Sequence, residues 1–362
     1  MKAGCLRVLC VAAVAVVLLG AAARPLVAQD VMPGSACANL LHMDHPHVTI
    51  RSGKTEAVLF LPDAKNGYYR ATRFDWSGIV ACVSYNGHKF FGEWTSYDPM
   101  KNDAITGPVE EFRTDNGVMG HYPPSSPLTT IHTEAIGYDD AKVGEDFLKP
   151  GIGMLRKTSD KPYGSGSLSP IDEGADTWTW KVTKDSVAFT QTIKGSRGYA
   201  HVYTKVVTLS DDGLTLAHTL KNTGTKMIDT KVYDHDFFIF DDQPAGPGMV
   251  MRFKFPPRSV DPMTDMVKIV RDEIQFQRHA KPGESINAYI VGNSDKVSDY
   301  DIMVEDTSRH IGVEQTGDQP ISRILFWTNG TPVCPEVYVH VPAAPGKTAH
   351  WKIHYRFFAP SP

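Results

Sequence analysis

Along most of the chain, apolar and polar residues alternate with a period of two over short segments. The middle of the sequence has the plainest pattern. Residues 177–183, 187–193, 200–209 and 215–222 each read as a half-buried strand, with turn chemistry at Lys184-Asp185, Lys194-Gly195-Ser196 and Asp211-Asp212-Gly213 between them. Strands at this spacing without intervening helices predict an antiparallel meander. Residues 48–51, 57–61 and 77–85 predict further strands, and Asn86-Gly87 predicts a tight hairpin returning through residues 88–91. Residues 129–138, 151–157, 288–292, 322–328 and 350–358 have the same texture. No helical period is sustained beyond about two turns, and no repeat has a fixed period. Residues 29–45 read as an irregular arm. Residues 98–124, rich in Gly, Pro and charge, read as a long functional loop. A chain built of strands buries its apolar surface by packing sheet on sheet, so the expected fold is all-β: one large antiparallel β-sandwich over residues 29–362, with no domain boundary.

The start of the chain breaks the pattern. Lys2 and Arg7 precede an apolar run at residues 8–19, and Ala23 and Ala28 offer small-residue cleavage positions. This is expected to be a secretory signal peptide over residues 1–28, too short in its apolar part to span a membrane. No Cys stands at the cleavage point to take a lipid. No later stretch is apolar enough to cross a bilayer, so the mature protein is expected in a bacterial periplasm or outside the cell. Acidic and basic residues, 41 and 37, are well mixed, with a net charge of −4 and no basic stripe for nucleic acid. Cys37, Cys82 and Cys334 follow the signal, enough for one disulfide and one free thiol in an oxidising compartment. Three pairings are open; Cys82 with Cys334 is favoured, since both lie in strand-like stretches. There is no CxxC and no Cys/His spacing typical of zinc. Asp241-Asp242 leaves room for a calcium loop.

The densest chemistry lies in TKVYDHDFFIFDD, residues 230–242. As a strand, it sends Asp234 and Asp236 to one face, and His235 and Phe237 to the other. A carboxylate within reach of His235 would favour the protonated ring, and burial would oppose it. That suits a general acid. It also suits a structural histidine bonded to backbone.

Three segments resemble the galactose mutarotase-like superfamily, the aldose 1-epimerases and their relatives. YDHDFF (residues 233–238) resembles the family's histidine followed by aromatics. VCPEVYVHVPAAPGKTAHWKIHYRF (residues 333–357) resembles its late glutamate strand, Pro-Gly turn and final aromatic strand. GYYRATRFDWSG (residues 67–78) stands where the family carries an arginine near the sugar. The chain most resembles a secreted bacterial, epimerase-like branch. The resemblance implies a β-supersandwich and a sugar or oligosaccharide as substrate, with no metal or organic cofactor. It implies that two proton transfers interconvert sugar anomers, with Glu336 as base on the C1 hydroxyl and His235 as acid on the ring oxygen. Arg73 is expected to donate to sugar hydroxyls. Asp234 stands where the family has a polar residue before the histidine. The family's earlier histidine has two candidates here, His121 in GVMGHY and His132. Glu110 and Glu111 in GPVEEF lie in the predicted loop, and Glu111 and His121 are candidate pocket residues. Trp76, Trp94 or Trp327 could stack on a pyranose, Trp327 being nine residues before Glu336. Two other functions are weighed. One is a glycoside hydrolase or polysaccharide lyase on the same scaffold, pairing Glu336 with Asp234 or Glu111. The other is a carbohydrate-binding protein without catalysis.

Overall fold

The computed structural model describes residues 31–32, 34–114 and 135–361. Two antiparallel sheets dominate. The larger has ten strands in the order Val267–Val270, Glu273–Phe276, Met249–Phe253, Asp301–Asp306, Ile311–Gly317, Thr348–Phe358, Gly213–Asn222, Tyr199–Leu209, Ser186–Ser196, Trp178–Val182. The smaller has six: Arg258–Ser259, Ile286–Val291, Arg323–Thr328, Cys334–Ala343, Ile228–His235, Val109–Arg113. The meander predicted from the middle of the chain forms one end of the large sheet. Its Tyr199–Leu209 strand alternates buried and half-buried positions without a break, the signature of one face turned to a core.

The two sheets face each other. Phe112 of the small sheet meets Tyr203 and Trp351 of the large one edge-on, at ring distances of 5.5 and 5.9 Å. A four-stranded sheet (His47–Ser52, Thr55–Phe60, Ile79–Tyr85, His88–Lys89) and a three-stranded sheet (Asp146–Lys149, Gly153–Arg156, Ile171–Glu173) complete the architecture. At the predicted Asn86-Gly87 hairpin both residues have positive φ, 50° and 77°, as such a two-residue turn requires. Among the described residues the only helical turns are short 3-10 pieces at Phe240–Asp242 and Val297–Asp299.

Several expectations need correcting. Cys37 bonds to Cys82, and Cys334 is the buried free thiol. Cys334 sits on the six-stranded sheet and Cys82 on the four-stranded one, which the arm carrying Cys37 covers. The predicted loop over residues 98–124 contains a strand, Val109–Arg113, at the edge of the small sheet; residues 115–124 lie outside the described residues. Among the described residues of 129–138 there is no strand, only a bridge between Ile136 and Leu148. The histidine strand stops at His235, because Phe237 takes a left-handed φ of 48° and the chain turns into the 3-10 piece. Six strands between Met249 and Gly317 were not anticipated from the sequence. The predicted signal peptide lies outside the described residues. No helix of the described residues is long and apolar enough to cross a membrane.

Candidate functional site

Register brings the principal residues together. Val232 pairs with Val339 in the ladder between the histidine strand and Cys334–Ala343. Continued three residues, that ladder sets His235 opposite Glu336. Their side chains meet, with His235 Nε2 3.2 Å from Glu336 Oε1. On the other side of the histidine strand Tyr233 pairs with Glu111, and beyond the glutamate strand Arg323 pairs with Tyr338. Side chains two apart share a face. Glu111, Tyr233, His235, Glu336, Tyr338, Arg323 and Trp327 therefore stand on one face of the small sheet, and Glu110 and Asp234 on the opposite face.

Arg73 reaches this face from the connection after the Thr55–Phe60 strand. Its Nε donates to Glu111 Oε2 at 2.9 Å and its Nη2 to the Tyr233 hydroxyl at 3.0 Å, and it is ion-paired with Asp103. Tyr233 in turn donates to Glu111 Oε2 at 2.5 Å, and Lys149 Nζ lies 3.7 Å from Glu111 Oε1. Tyr338 donates to Glu336 Oε2 at 3.3 Å. His235 Nδ1 has no hydrogen-bond partner among the described residues. Aromatic rings pack around the imidazole. Phe237 stacks on it at 3.8 Å, and Trp327 and Phe74 meet it edge-on at 5.2 and 5.9 Å. Half-buried Trp94 stacks on Phe237 and meets Trp327 edge-on at 5.0 Å.

Burial sets the electrostatics. His235 and Glu336 are 4% and 2% exposed. Desolvation, joined by the Arg73 guanidinium, holds the imidazole well below its usual pKa. Desolvation pushes the Glu336 carboxyl up to about 8, with nearby Arg73 opposing it and Glu111 adding to it. The pair thus rests neutral, with its one mobile proton on the carboxyl side. For Glu111 burial acts upward too, but Arg73 and Lys149 overcome it and hold the carboxylate ionised, well below the usual range. Arg73 and Glu111 are best read as a structural ion pair that borders the His–Glu pair.

Asp234 is turned away from that pair. Its carboxylate lies between the two large sheets, fully buried, and accepts from the Tyr355 hydroxyl at 2.5 Å. Asp236 Oδ1 lies 2.7 Å from the same hydroxyl, whose single proton can serve only one of the two carboxyls at a time. Desolvation, with Glu110 nearby, pushes the Asp234 carboxyl well up. The same interior holds Glu110 against Lys205, with His218 Nε2 at 2.7 Å from Glu110 Oε1 and Lys205 Nζ at 3.8 Å from Asp75 Oδ2. Alternation of faces along the histidine strand thus separates Asp234 from any ligand on His235, and removes Glu336–Asp234, one of the two carboxyl pairings open to a hydrolase, the other being Glu336–Glu111. His121 and His132 lie outside the described residues. Tyr233, Tyr338, Asp103 and Lys149 were not picked out from the sequence. The two tyrosines were findable, since each stands two residues from His235 or Glu336 and so on the same face.

Cavities of about 530, 490 and 410 Å³ open elsewhere on the described surface. The largest runs beside Glu93, Trp94, Lys89 and Asp242, and the second beside Arg113, Thr230 and His340. None of the three is lined by His235 or Glu336. The largest ends at Trp94, whose ring belongs to the aromatic group over the imidazole.

No family model and no curated protein matches this sequence. Solved structures do. A candidate aldose 1-epimerase from Escherichia coli K12 aligns with a TM-score of 0.52 at 9% identity, over 87% of this chain and 99% of its own. A galactose mutarotase-like protein from Clostridium acetobutylicum aligns at 0.51 and 11% identity, over 89% and 98%. A protein from Synechocystis sp. PCC 6803 aligns at 0.51 and 9% identity, over 88% and 97%. Such identities speak to fold rather than chemistry, and the fold of this chain is the galactose mutarotase-like β-supersandwich.

Proposed function

We propose that this protein is an aldose 1-epimerase-like isomerase, interconverting the anomers of a free sugar or a sugar released from a saccharide. The observation that carries the reading is the His235 Nε2–Glu336 Oε1 contact of 3.2 Å, on a face shared with Arg73 and Tyr233. Mutarotation needs one group to take the C1 hydroxyl proton while another protonates the ring oxygen. Rotation about C1–C2 and closure then return both protons. A neutral pair holding one mobile proton can do both.

The resemblance assigned Glu336 as base and His235 as acid. Burial favours the reverse for the resting pair. The carboxyl raised to about 8 gives its proton to the ring oxygen, and the neutral imidazole takes the hydroxyl proton. Closure reverses the two roles, so each residue acts once in each sense. His235 Nε2, which accepts from the protonated Glu336 at rest, is freed as that proton leaves and is the nitrogen that takes the hydroxyl proton, while buried Nδ1 keeps its own. A sugar would have to enter past the half-buried Trp94 and Trp327 rings, which can stack on the C–H face of a pyranose. Residues 1–28 are proposed to direct the chain to the periplasm or out of the cell.

The test is polarimetry. Purified α-glucose or α-galactose should reach its equilibrium rotation faster with protein than in buffer, and His235→Asn should remove the acceleration. Rotation decaying at the buffer rate over several aldoses would sink the isomerase reading. Sugar binding that persists unchanged in Glu336→Gln, with no turnover by the wild type, would instead point to a binding protein.

A further inference from the structure

A second group of ligating side chains lies far from this pair in sequence, on the arm before the first strand. His42, Asp44 and His45 each offer one ligand atom, and the three atoms lie within 4.8 Å of one another. Local backbone brings them together. The His45 N–H donates to the His42 carbonyl at 3.2 Å, closing a turn that sets its first and last side chains side by side, and His42 has a left-handed φ of 61°.

The surroundings are those of a prepared ligand set. His45 Nδ1 lies 2.7 Å from the Asn66 carbonyl, which can only accept, so Nδ1 carries the proton and Nε2 presents its lone pair. A backbone carbonyl fixing the tautomer in this way is the usual outer partner of a metal-bound histidine. Among the described residues the only group on Nε2 is the Tyr97 hydroxyl at 2.8 Å, and that hydroxyl also has the Tyr68 carbonyl at 2.7 Å for its single proton. The His42 ring packs on Tyr97 at 4.0 Å, and Tyr97, Tyr68 and Phe60 form a continuous stack with spacings of 4.7 and 4.0 Å. Glu93 Oε1 lies 3.5 Å from His42 Nε2 and offers a fourth ligand. Asp44 is exposed, and His42 and His45 are only half-buried, so the side chains can move.

We propose that the turn at residues 42–45 binds one divalent transition cation, zinc in the first instance, through His42, Asp44 and His45, with Glu93 closing the shell. Two imidazoles with carboxylates are a zinc-type donor set. Zinc bonds to nitrogen and oxygen run about 2.0–2.2 Å, which puts tetrahedral ligand atoms about 3.4 Å apart. The present spread therefore closes by small side-chain rotations. The turn lies between Cys37, tied by its disulfide to Cys82, and the His47–Ser52 strand. A bound ion would pin the arm to the Tyr68–Tyr97 stack at a second point.

The experiment is zinc titration of chelator-stripped protein by calorimetry, with cobalt(II) absorption as a report on geometry. Wild type should bind one zinc and give the visible bands of a four-coordinate cobalt site. His42→Asn and Asp44→Asn should each weaken zinc at least as much as loss of an outer partner does, about 10–100-fold. Asparagine is chosen at position 42 because it tolerates positive φ. His340→Asn, at an exposed His–Asp pair elsewhere, should bind as wild type does. Thermal unfolding of the metal-free variants should match metal-free wild type, and zinc should raise the midpoint only where the site is intact. Wild type that takes up no zinc, or affinity lost in His340→Asn but kept in the other two, overturns the proposal. So does affinity lost only in variants that already unfold early without metal.

Discussion

Replacing Glu336 by Gln should make the protein more stable while removing its catalysis. In the folded protein burial raises the carboxyl from 4.5 to about 8. Once unfolded it titrates at its ordinary value. Between those two pH values the unfolded chain releases a proton that the folded chain keeps. Stability therefore falls as pH rises through the window, by about 1.4 kcal/mol per pH unit. By pH 7 the wild type has lost about 3 kcal/mol relative to its state below pH 4.5, and above pH 8 the loss levels off near about 5 kcal/mol. Glutamine has no proton to lose. Its amide can donate to His235 Nε2 as the protonated carboxyl does, and accept from the Tyr338 hydroxyl as Oε2 does now at 3.3 Å. The substitution thus keeps shape and hydrogen bonds and removes only the titration. Urea unfolding of both proteins from pH 4.5 to 8.5 measures it. The free-energy gap should be near zero at the acid end, open steadily to about 3 kcal/mol in favour of the variant at pH 7, and leave the urea slope unchanged. Mutarotation by the variant should fall by about 10²–10⁴-fold, the usual contribution of one proton-transferring group. Parallel pH profiles, or a variant less stable than wild type at pH 7, would refute the claim that burial holds this carboxyl neutral.

Lys205→Met should destabilise the fold by about 3–5 kcal/mol in urea unfolding, because it strands Glu110 and Asp75 as buried anions between the sheets. Reducing Cys37–Cys82, which spans 45 residues, should cost about 4 kcal/mol by the loop-entropy relation, read as a lower unfolding midpoint in dithiothreitol. Arg73→Lys keeps the charge but not the planar fork that serves Glu111 and Tyr233 together. It should lower kcat/KM in polarimetry while leaving a folded protein by circular dichroism.

Much of the fold was legible where one sheet face meets solvent. The Tyr199–Leu209 strand alternates because one side is buried, so its pattern announced it. The strands from Met249 to Gly317 are short, several of only four to six residues, and polar on their outer faces; in sequence they do not stand out from loops. Val109–Arg113 was masked by the charge of Glu110 and Glu111, both fully buried and each neutralised from a different side of the sheet. A run of two glutamates reads as a surface loop unless its partners, Lys205 and Arg73, are known to be waiting. The convergence of His235 on Glu336 was legible only through the family resemblance. Nothing local in either strand fixes the register between residues a hundred apart. Asp234 was misplaced because strand alternation was not followed to its consequence: a residue adjacent to the histidine belongs to the other face.

The small sheet carries ionisable groups on both faces, and on each face one carboxyl is held ionised by a cation while another is pushed up by burial. Between the sheets, Lys205 and His218 gather Glu110 into a compensated cluster, and Glu110 stays ionised, held down to about 2 against the desolvation that would raise it. On the other face a cation also stands near, yet Glu336 is not drawn down with it. Arg73 is already engaged by Glu111, Asp103 and Tyr233, and the charge of Glu111 acts on Glu336 in the opposite direction. Desolvation therefore decides. The charge of Glu111 adds to the rise that burial gives the Glu336 carboxyl, against the pull of Arg73. Glu111 holds Arg73 and the Tyr233 hydroxyl on this face.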